Sequence, residues 1–178
     1  MNKNIKKIGL VIAQQDFQDE EYFVTKSVLE KAGLAVSTIS LKKGEALGIF
    51  GGVVDVDLAV SEVKTKDFDG LVFIGGSGMA DQLNNKDFQK LAKESVEGGN
   101  ILAAICIAPA LLAKAGVLKN KKATVWSSPM DKHAVNILKE AGVDYKEEPL
   151  VIDENIITAA GPSQARKFGE AIAESLLK

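Results

Sequence analysis

One cysteine, Cys106, stands in the run Ile101-Leu-Ala-Ala-Ile-Cys106-Ile-Ala-Pro109. Residues 101–105 form the short, unbroken apolar run of a buried parallel strand, and Pro109 falls early in the next helix, where a missing N–H costs nothing. The sulfur is therefore expected in a strand-to-helix turn at the mouth of an open α/β sheet. Free N–H groups and the helix dipole there favour a thiolate, which suits nucleophilic attack or controlled oxidation. The competing reading of Cys106 is a small buried hydrophobe.

Ligands of open α/β sheets bind beyond the carboxyl ends of the strands. Three features fall there together: polar residues 14–21, the glycine-rich turn Gly75-Gly-Ser-Gly78, and Cys106 itself. Gly76 could offer a backbone N–H to an oxyanion close to the sulfur, with the Ile107 N–H as its partner, although the glycines could equally serve only a sharp turn. Asp16, Asp19, Glu20 and Glu21 surround the start of the first helix, with Asp19 placed as its N-cap. A carboxyl among them that pointed inward would share a proton with the sulfur and have its pKa raised by burial. Residue chemistry alone leaves Glu20 and Glu21 both open.

The elements that must position these groups follow from the apolar pattern. Ile8–Ala13 reads as a first central strand, residues 14–19 as a loop, and Glu20–Lys31 as a helix with Phe23, Val24, Val28 and Leu29 on one period, stopped by Gly33. Leu34–Leu41 begins the next strand, and residues 44–63 read as a small hairpin excursion. Phe68–Ile74 is another buried strand, followed by a helix over Lys86–Glu97, the Cys106 strand and its helix to about Ala115. Thr124–Trp126 is expected as a short strand and Lys132–Glu140 as a helix. Leu150–Ile152 and Ile156–Thr158 should form an antiparallel pair, with a closing helix over Ser163–Leu177. This alternation predicts a three-layer α/β/α sandwich with a mostly parallel central sheet, in a single domain over residues 1–178.

Composition narrows the class. The 178 residues suffice for one sizeable core, and 46% apolar with 26% charged residues is a globular balance. A formal net charge of −2 with interspersed signs argues against nucleic acid as a dominant partner. No apolar run approaches the roughly 20 residues of a membrane span, and the lysine-rich start has no signal-like apolar region, so the cytosol is the expected compartment. A lone cysteine agrees with a reducing environment.

The chain resembles the DJ-1/PfpI family over essentially its full length. The resemblance rests on Asp16-Phe-Gln-Asp-Glu-Glu21, on Asp69-Gly-Leu-Val-Phe-Ile-Gly-Gly76, on Ala104-Ile-Cys106-Ile-Ala-Pro109 through Gly116-Val-Leu118, and on Ala160-Gly-Pro162. It implies a flavodoxin-like sandwich and a homodimer or higher homo-oligomer. Aligning Phe17 with the residue that opens the family's acidic motif places its buried glutamate at Glu21, the nucleophile at Cys106 and the oxyanion donors at Gly76 and Ile107. The implied activities are glyoxalase or deglycase chemistry on α-oxoaldehydes or their adducts, peptide hydrolysis, chaperone action and oxidative-stress sensing; neither a cofactor nor a metal is required. The usual imidazoles are replaced: Ile107 follows the cysteine, and Trp126, read as a pocket wall, occupies the other position. The single histidine, His133, is expected on a solvent-facing helix position. Without an imidazole, proton transfer falls to Glu21 or water, which favours addition to a reactive aldehyde over peptide hydrolysis and leaves noncatalytic redox sensing or chaperone action as the alternative.

Overall fold

The computed structural model describes residues 5–178. Among the described residues twelve strands are formed: β1 (Lys7–Val11), β2 (Gln15–Phe17), β3 (Ala35–Ser40), β4 (Gly44–Gly48), β5 (Val53–Val56), β6 (Leu58–Ala59), β7 (Gly70–Phe73), β8 (Ile101–Ile105), β9 (Lys122–Ala123), β10 (Asp144–Tyr145), β11 (Leu150–Asp153) and β12 (Ile156–Ala159). The helices are α1 (Asp19–Lys31), α2 (Ser77–Ala80), α3 (Lys86–Glu97), α4 (Ala108–Lys114), α5 (His133–Glu140) and α6 (Ala165–Leu177).

Seven strands make the central sheet in the order β11-β12-β8-β7-β1-β3-β6, parallel throughout except for the β11–β12 pair. Its middle strands are buried on both faces, which is why they read as unbroken apolar runs. The period of two then divides them between two cores. Leu71, Phe73, Leu102 and Ala104 pack on the side of α3, α4 and α5, whereas Val72, Ile74, Ala103 and Ile105 pack on the side of α1 and α6. The result is the expected α/β/α sandwich with a mostly parallel sheet.

The excursion over residues 44–63 contains the β4–β5 hairpin, with Gly44 opposite Val56 and Leu47 opposite Val53, before β6 rejoins the sheet edge. Residues 14–19 are not simply a loop: β2 pairs in parallel with β4, so the hairpin is tied to the chain just ahead of α1. The buried face of α1 also differs from its apolar period. Glu21, Tyr22, Thr25 and Leu29 face inward, while Phe23 is exposed and Val24 and Val28 are half-buried. Polar residues thus occupy the core side because they find partners there: the Tyr22 hydroxyl lies 2.6 Å from Thr38 Oγ1, and Thr25 donates to the Ala165 carbonyl.

Two further expectations shift. The helix is capped by Gln18 rather than Asp19, the Gln18 side chain accepting from the Glu21 N–H at 3.0 Å. Thr124–Trp126 forms no strand; pairing occurs one turn earlier, between Lys122–Ala123 and Asp144–Tyr145. Thr124 instead donates its N–H to Thr158 Oγ1, a side-chain bond that guides the segment along β12 without entering the ladder.

Candidate active site

Cys106 lies between β8 and α4 with φ of 63°, a left-handed conformation that non-glycine residues seldom adopt. Its N–H donates to the Ala159 carbonyl at 2.9 Å and its carbonyl accepts from the Trp126 N–H at 2.8 Å. These bonds from two neighbouring segments hold the turn in its strained shape. The side chain is half-buried and its thiol is free. Pro109 is the second residue of α4, where no intrahelical N–H is lost.

Glu21 reaches the same place from the first turn of α1. It is fully buried, and its Oε2 accepts from the Gly75 N–H at 2.8 Å. Its Oε1 is buried with no formed hydrogen-bond partner among the described residues, although the Cys106 thiol stands near enough to couple to the carboxyl. Glu20, one residue earlier, is exposed, so Glu21 is the carboxyl turned toward the sulfur and Glu20 the one turned away. Asp16 is also exposed, with φ of 58° in the middle of β2, where the pairing register with β4 shifts.

The glycine turn after β7 explains how these groups come so close. A side chain at Gly75 would put its Cβ 2.7 Å from both the Cys106 Cβ and Glu21 Oε2. Gly76, at φ of 113°, lies against the backbone of residues 16–18, and a Cβ there would meet the Asp16 carbonyl oxygen at 2.5 Å. Gln18 donates its N–H to the Gly75 carbonyl at 3.0 Å. The turn is therefore glycine both for its dihedral angles and for the absence of Cβ atoms. The backbone N–H groups of Ile107 and Gly76 lie on the Cys106 side of the turn, where both act to lower the pKa of the thiol.

Electrostatics depart from the expectation. Burial raises the Glu21 carboxyl to about 7, opposed by the Gly75 N–H and the Cys106 contact and reinforced by the Glu20 charge. Burial likewise pushes the Cys106 thiol up, as does the neighbouring Glu21 carboxyl, against smaller lowering by the nearby Ile107 and Gly76 N–H groups. The thiol is thus not depressed by its helix: loss of hydration and an acidic neighbour outweigh the dipole of a seven-residue α4. The two groups act as one unit, whose first proton leaves near neutral pH.

Cys106, Glu21, Gly76 and Ile107 are therefore brought together. Trp126 adjoins them through its backbone bond to Cys106, with its half-buried ring beside Gly161. His133 is exposed at the start of α5. Residue reading missed Gly75 as the donor to Glu21 and Gln18 as the cap of the acidic helix. The doubled glycine at 75–76 was the available signal for the first.

The chain belongs to the DJ-1/PfpI family, whose model matches residues 6–175. It is 39% identical over 178 residues to the uncharacterized protein MJ0967 of Methanocaldococcus jannaschii, covering 99% of this chain and 85% of that protein. It is 31% identical to the deglycase PYRAB04690 of Pyrococcus abyssi over 153 residues, 86% of this chain and 89% of the relative. The crystal structure of a ThiJ/PfpI domain protein from Brachyspira murdochii superposes with a TM-score of 0.92 at 32% identity, covering 97% of each chain.

Proposed function

We propose that this protein is a cytoplasmic, cysteine-dependent glyoxalase or deglycase-like hydrolase, one domain over residues 1–178, acting on small α-oxoaldehydes or their adducts. The observation that carries the reading is the meeting of a strained, half-buried Cys106 with a buried Glu21 whose proton leaves near pH 7. Similarity to a protein named as a deglycase agrees with carbonyl chemistry.

In the reactive arrangement the pair has lost one proton and the remaining one moves from sulfur to Glu21. The thiolate adds to the aldehyde carbon, the carbonyl electron pair becomes an oxyanion facing the Gly76 and Ile107 N–H groups, and Glu21 protonates it to a hemithioacetal. Glu21 then removes the hydrogen from that carbon as a proton to leave an enediolate, the hydroxyl proton passes to the neighbouring former ketone oxygen, and Glu21 returns its proton to the adjacent carbon, giving a 2-hydroxyacyl thioester. Water hydrolyses the thioester, releasing the hydroxy acid and restoring the thiol. No leaving amine has to be protonated in this sequence, which suits a site served by one carboxyl. Peptide hydrolysis makes the greater demand.

The test follows methylglyoxal consumption and lactate release by the native protein and Cys106→Ser. Turnover should fall at least ~10²-fold in the variant, the scale on which loss of a covalent route is felt. Equal rates in the two proteins overturn the reading.

A second reading is favoured by the free, half-buried thiol beside a carboxyl that is protonated below about pH 7. Peroxide would convert Cys106 to a sulfinic acid hydrogen-bonded by Glu21, a sensor without turnover. Mass analysis after mild peroxide distinguishes it: clean addition of two oxygens at Cys106 with only stoichiometric methylglyoxal adduct moves the assignment to sensing. We also propose that the protein works as a symmetric homodimer, the commonest closed assembly.

A further inference from the structure

Asp19 is the first residue of α1, yet its carboxylate does not cap its own helix; Gln18 does that. Instead it crosses to the β4–β5 hairpin, where Oδ2 accepts from the Phe50 N–H at 2.9 Å and Oδ1 from the Gly52 N–H at 2.7 Å. The hairpin is shaped to receive it. A Cβ at Gly48 would fall 2.4 Å from Asp19 Oδ2, and one at Gly52 would fall 2.5 Å from Oδ1. A third bond, from the Ile49 N–H to the Phe17 carbonyl at 2.9 Å, joins the same two segments.

The turn of helix so gripped is the one that carries Glu21. On its other side, Gln18 and Glu21 are bonded to Gly75. The first turn of α1 is therefore clamped between the glycine turn beside Cys106 and the tip of a hairpin whose own side chains, Ile49 and Phe50, are exposed. We infer that Asp19 is a positioning residue: by bonding the hairpin tip it fixes the first turn of α1 and so holds the Glu21 carboxyl against Cys106. This rests on the reading of Cys106 and Glu21 as one reactive unit.

The influences on Glu21 are its burial, the Gly75 N–H, the Cys106 thiol across the turn and the Glu20 charge on its own helix. Asp19 is not among them, so its removal acts through geometry and not through charge. A displacement on the order of 1 Å is enough to cost ~10²-fold where reacting groups must be aligned.

The experiment uses the full chain and iodoacetamide, which with one cysteine reports on Cys106 alone. The alkylation rate is measured from pH 5 to 9. In the native protein it should rise with an inflection near 7, where the pair releases its first proton. Asp19→Ala should move that inflection and slow alkylation by about tenfold, with Asp19→Asn, which keeps one acceptor, in between. Gly52→Ala fills the socket from the other side and should reproduce the shift, and the Asp19→Ala/Gly52→Ala double variant should be no worse than the single ones, since both break one brace.

Glu62→Ala serves as control. It removes a similar exposed carboxylate bond, to the Ala59 N–H at 2.8 Å, outside the site, and should leave the inflection in place. Native profiles in Asp19→Ala and Gly52→Ala, or losses that simply add, overturn the inference. If Asp19→Ala does not fold, Gly52→Ala decides alone. Because alkylation needs no substrate turnover, a native protein inert toward methylglyoxal but showing these shifts refutes the enzymatic reading and supports the brace. A turning-over protein indifferent to both variants does the opposite.

Discussion

Replacing Glu21 by glutamine should make the protein more stable above neutral pH while stopping its chemistry. Glu21 is fully buried, and its carboxyl titrates near 7 in the fold against an ordinary value of 4.5. A folded pKa raised above the unfolded one means that the folded state holds the proton more tightly. The corresponding stability is fully present below about pH 4.5 and is lost as pH rises through 7. The change from 4.5 to about 7, at 1.36 kcal/mol for each tenfold in proton affinity, amounts to roughly 3 kcal/mol at pH 8 and under about 1 kcal/mol at pH 5. Glutamine cannot ionise, and its amide oxygen can still accept from the Gly75 N–H, so Glu21→Gln escapes the loss. Urea unfolding of both proteins at pH 5 and pH 8 is the assay. The difference between variant and native stability should grow by about 2–3 kcal/mol in favour of the variant from the lower to the higher pH. Any constant cost of the new amide beside the sulfur cancels in that comparison. A pH-independent difference, or one that grows in favour of the native protein, would refute the placement of an ionisable Glu21 in a dehydrated site.

Gly75→Ala should lower stability by roughly 1–3 kcal/mol and slow Cys106 alkylation, because its Cβ would lie 2.7 Å from both the Cys106 Cβ and Glu21 Oε2; denaturant melts and thiol kinetics check both. Unchanged thiol kinetics would mean that the elbow is looser than its contacts require. Sedimentation across the micromolar range should show a dimer, and a monomer at every concentration would remove the association proposal.

The central layer was legible because its burial is two-sided. Strands such as Ile101–Ile105 have no solvent face, so a continuous apolar run is enough to find them and the following turn. The Lys86–Glu97 helix was read with its bounds intact, since Asn85 caps it through the Asp87 and Phe88 N–H groups and Gly98 closes it. The inward face of α1 was harder. Its buried polar residues Tyr22 and Thr25 are satisfied by Thr38 and Ala165, neighbours that are distant along the chain and leave no local mark. The same holds for β2, whose pairing depends on a hairpin thirty residues away. Thr124–Trp126 looked like a strand by residue type, but its bonds go to a Thr158 side chain and to the Cys106 carbonyl instead of along a ladder.

Position and acidity were legible to different degrees at Cys106 for a reason of magnitude. The strand-to-helix turn could be located locally, and a helix N-terminus does favour an anion, by typically 0.3–1 kcal/mol. The opposing influences come from elsewhere in the chain: enclosure by several segments and a carboxyl delivered by α1. Burial, even net of the Gly75 and Cys106 contacts that oppose it, lifts Glu21 by an amount worth about 3 kcal/mol, and the same enclosure acts on the sulfur. A seven-residue helix cannot reverse that. Above pH 7 the pair keeps one proton, resting mainly on sulfur with the charge on Glu21, and the reactive form is the minor arrangement with that proton moved to the carboxyl. The fraction in that form depends on the geometry between the two groups, not on the pH once the first proton has left. Control of this cysteine therefore lies with whatever fixes Glu21, namely the Gly75 N–H on one side and the first turn of α1 on the other.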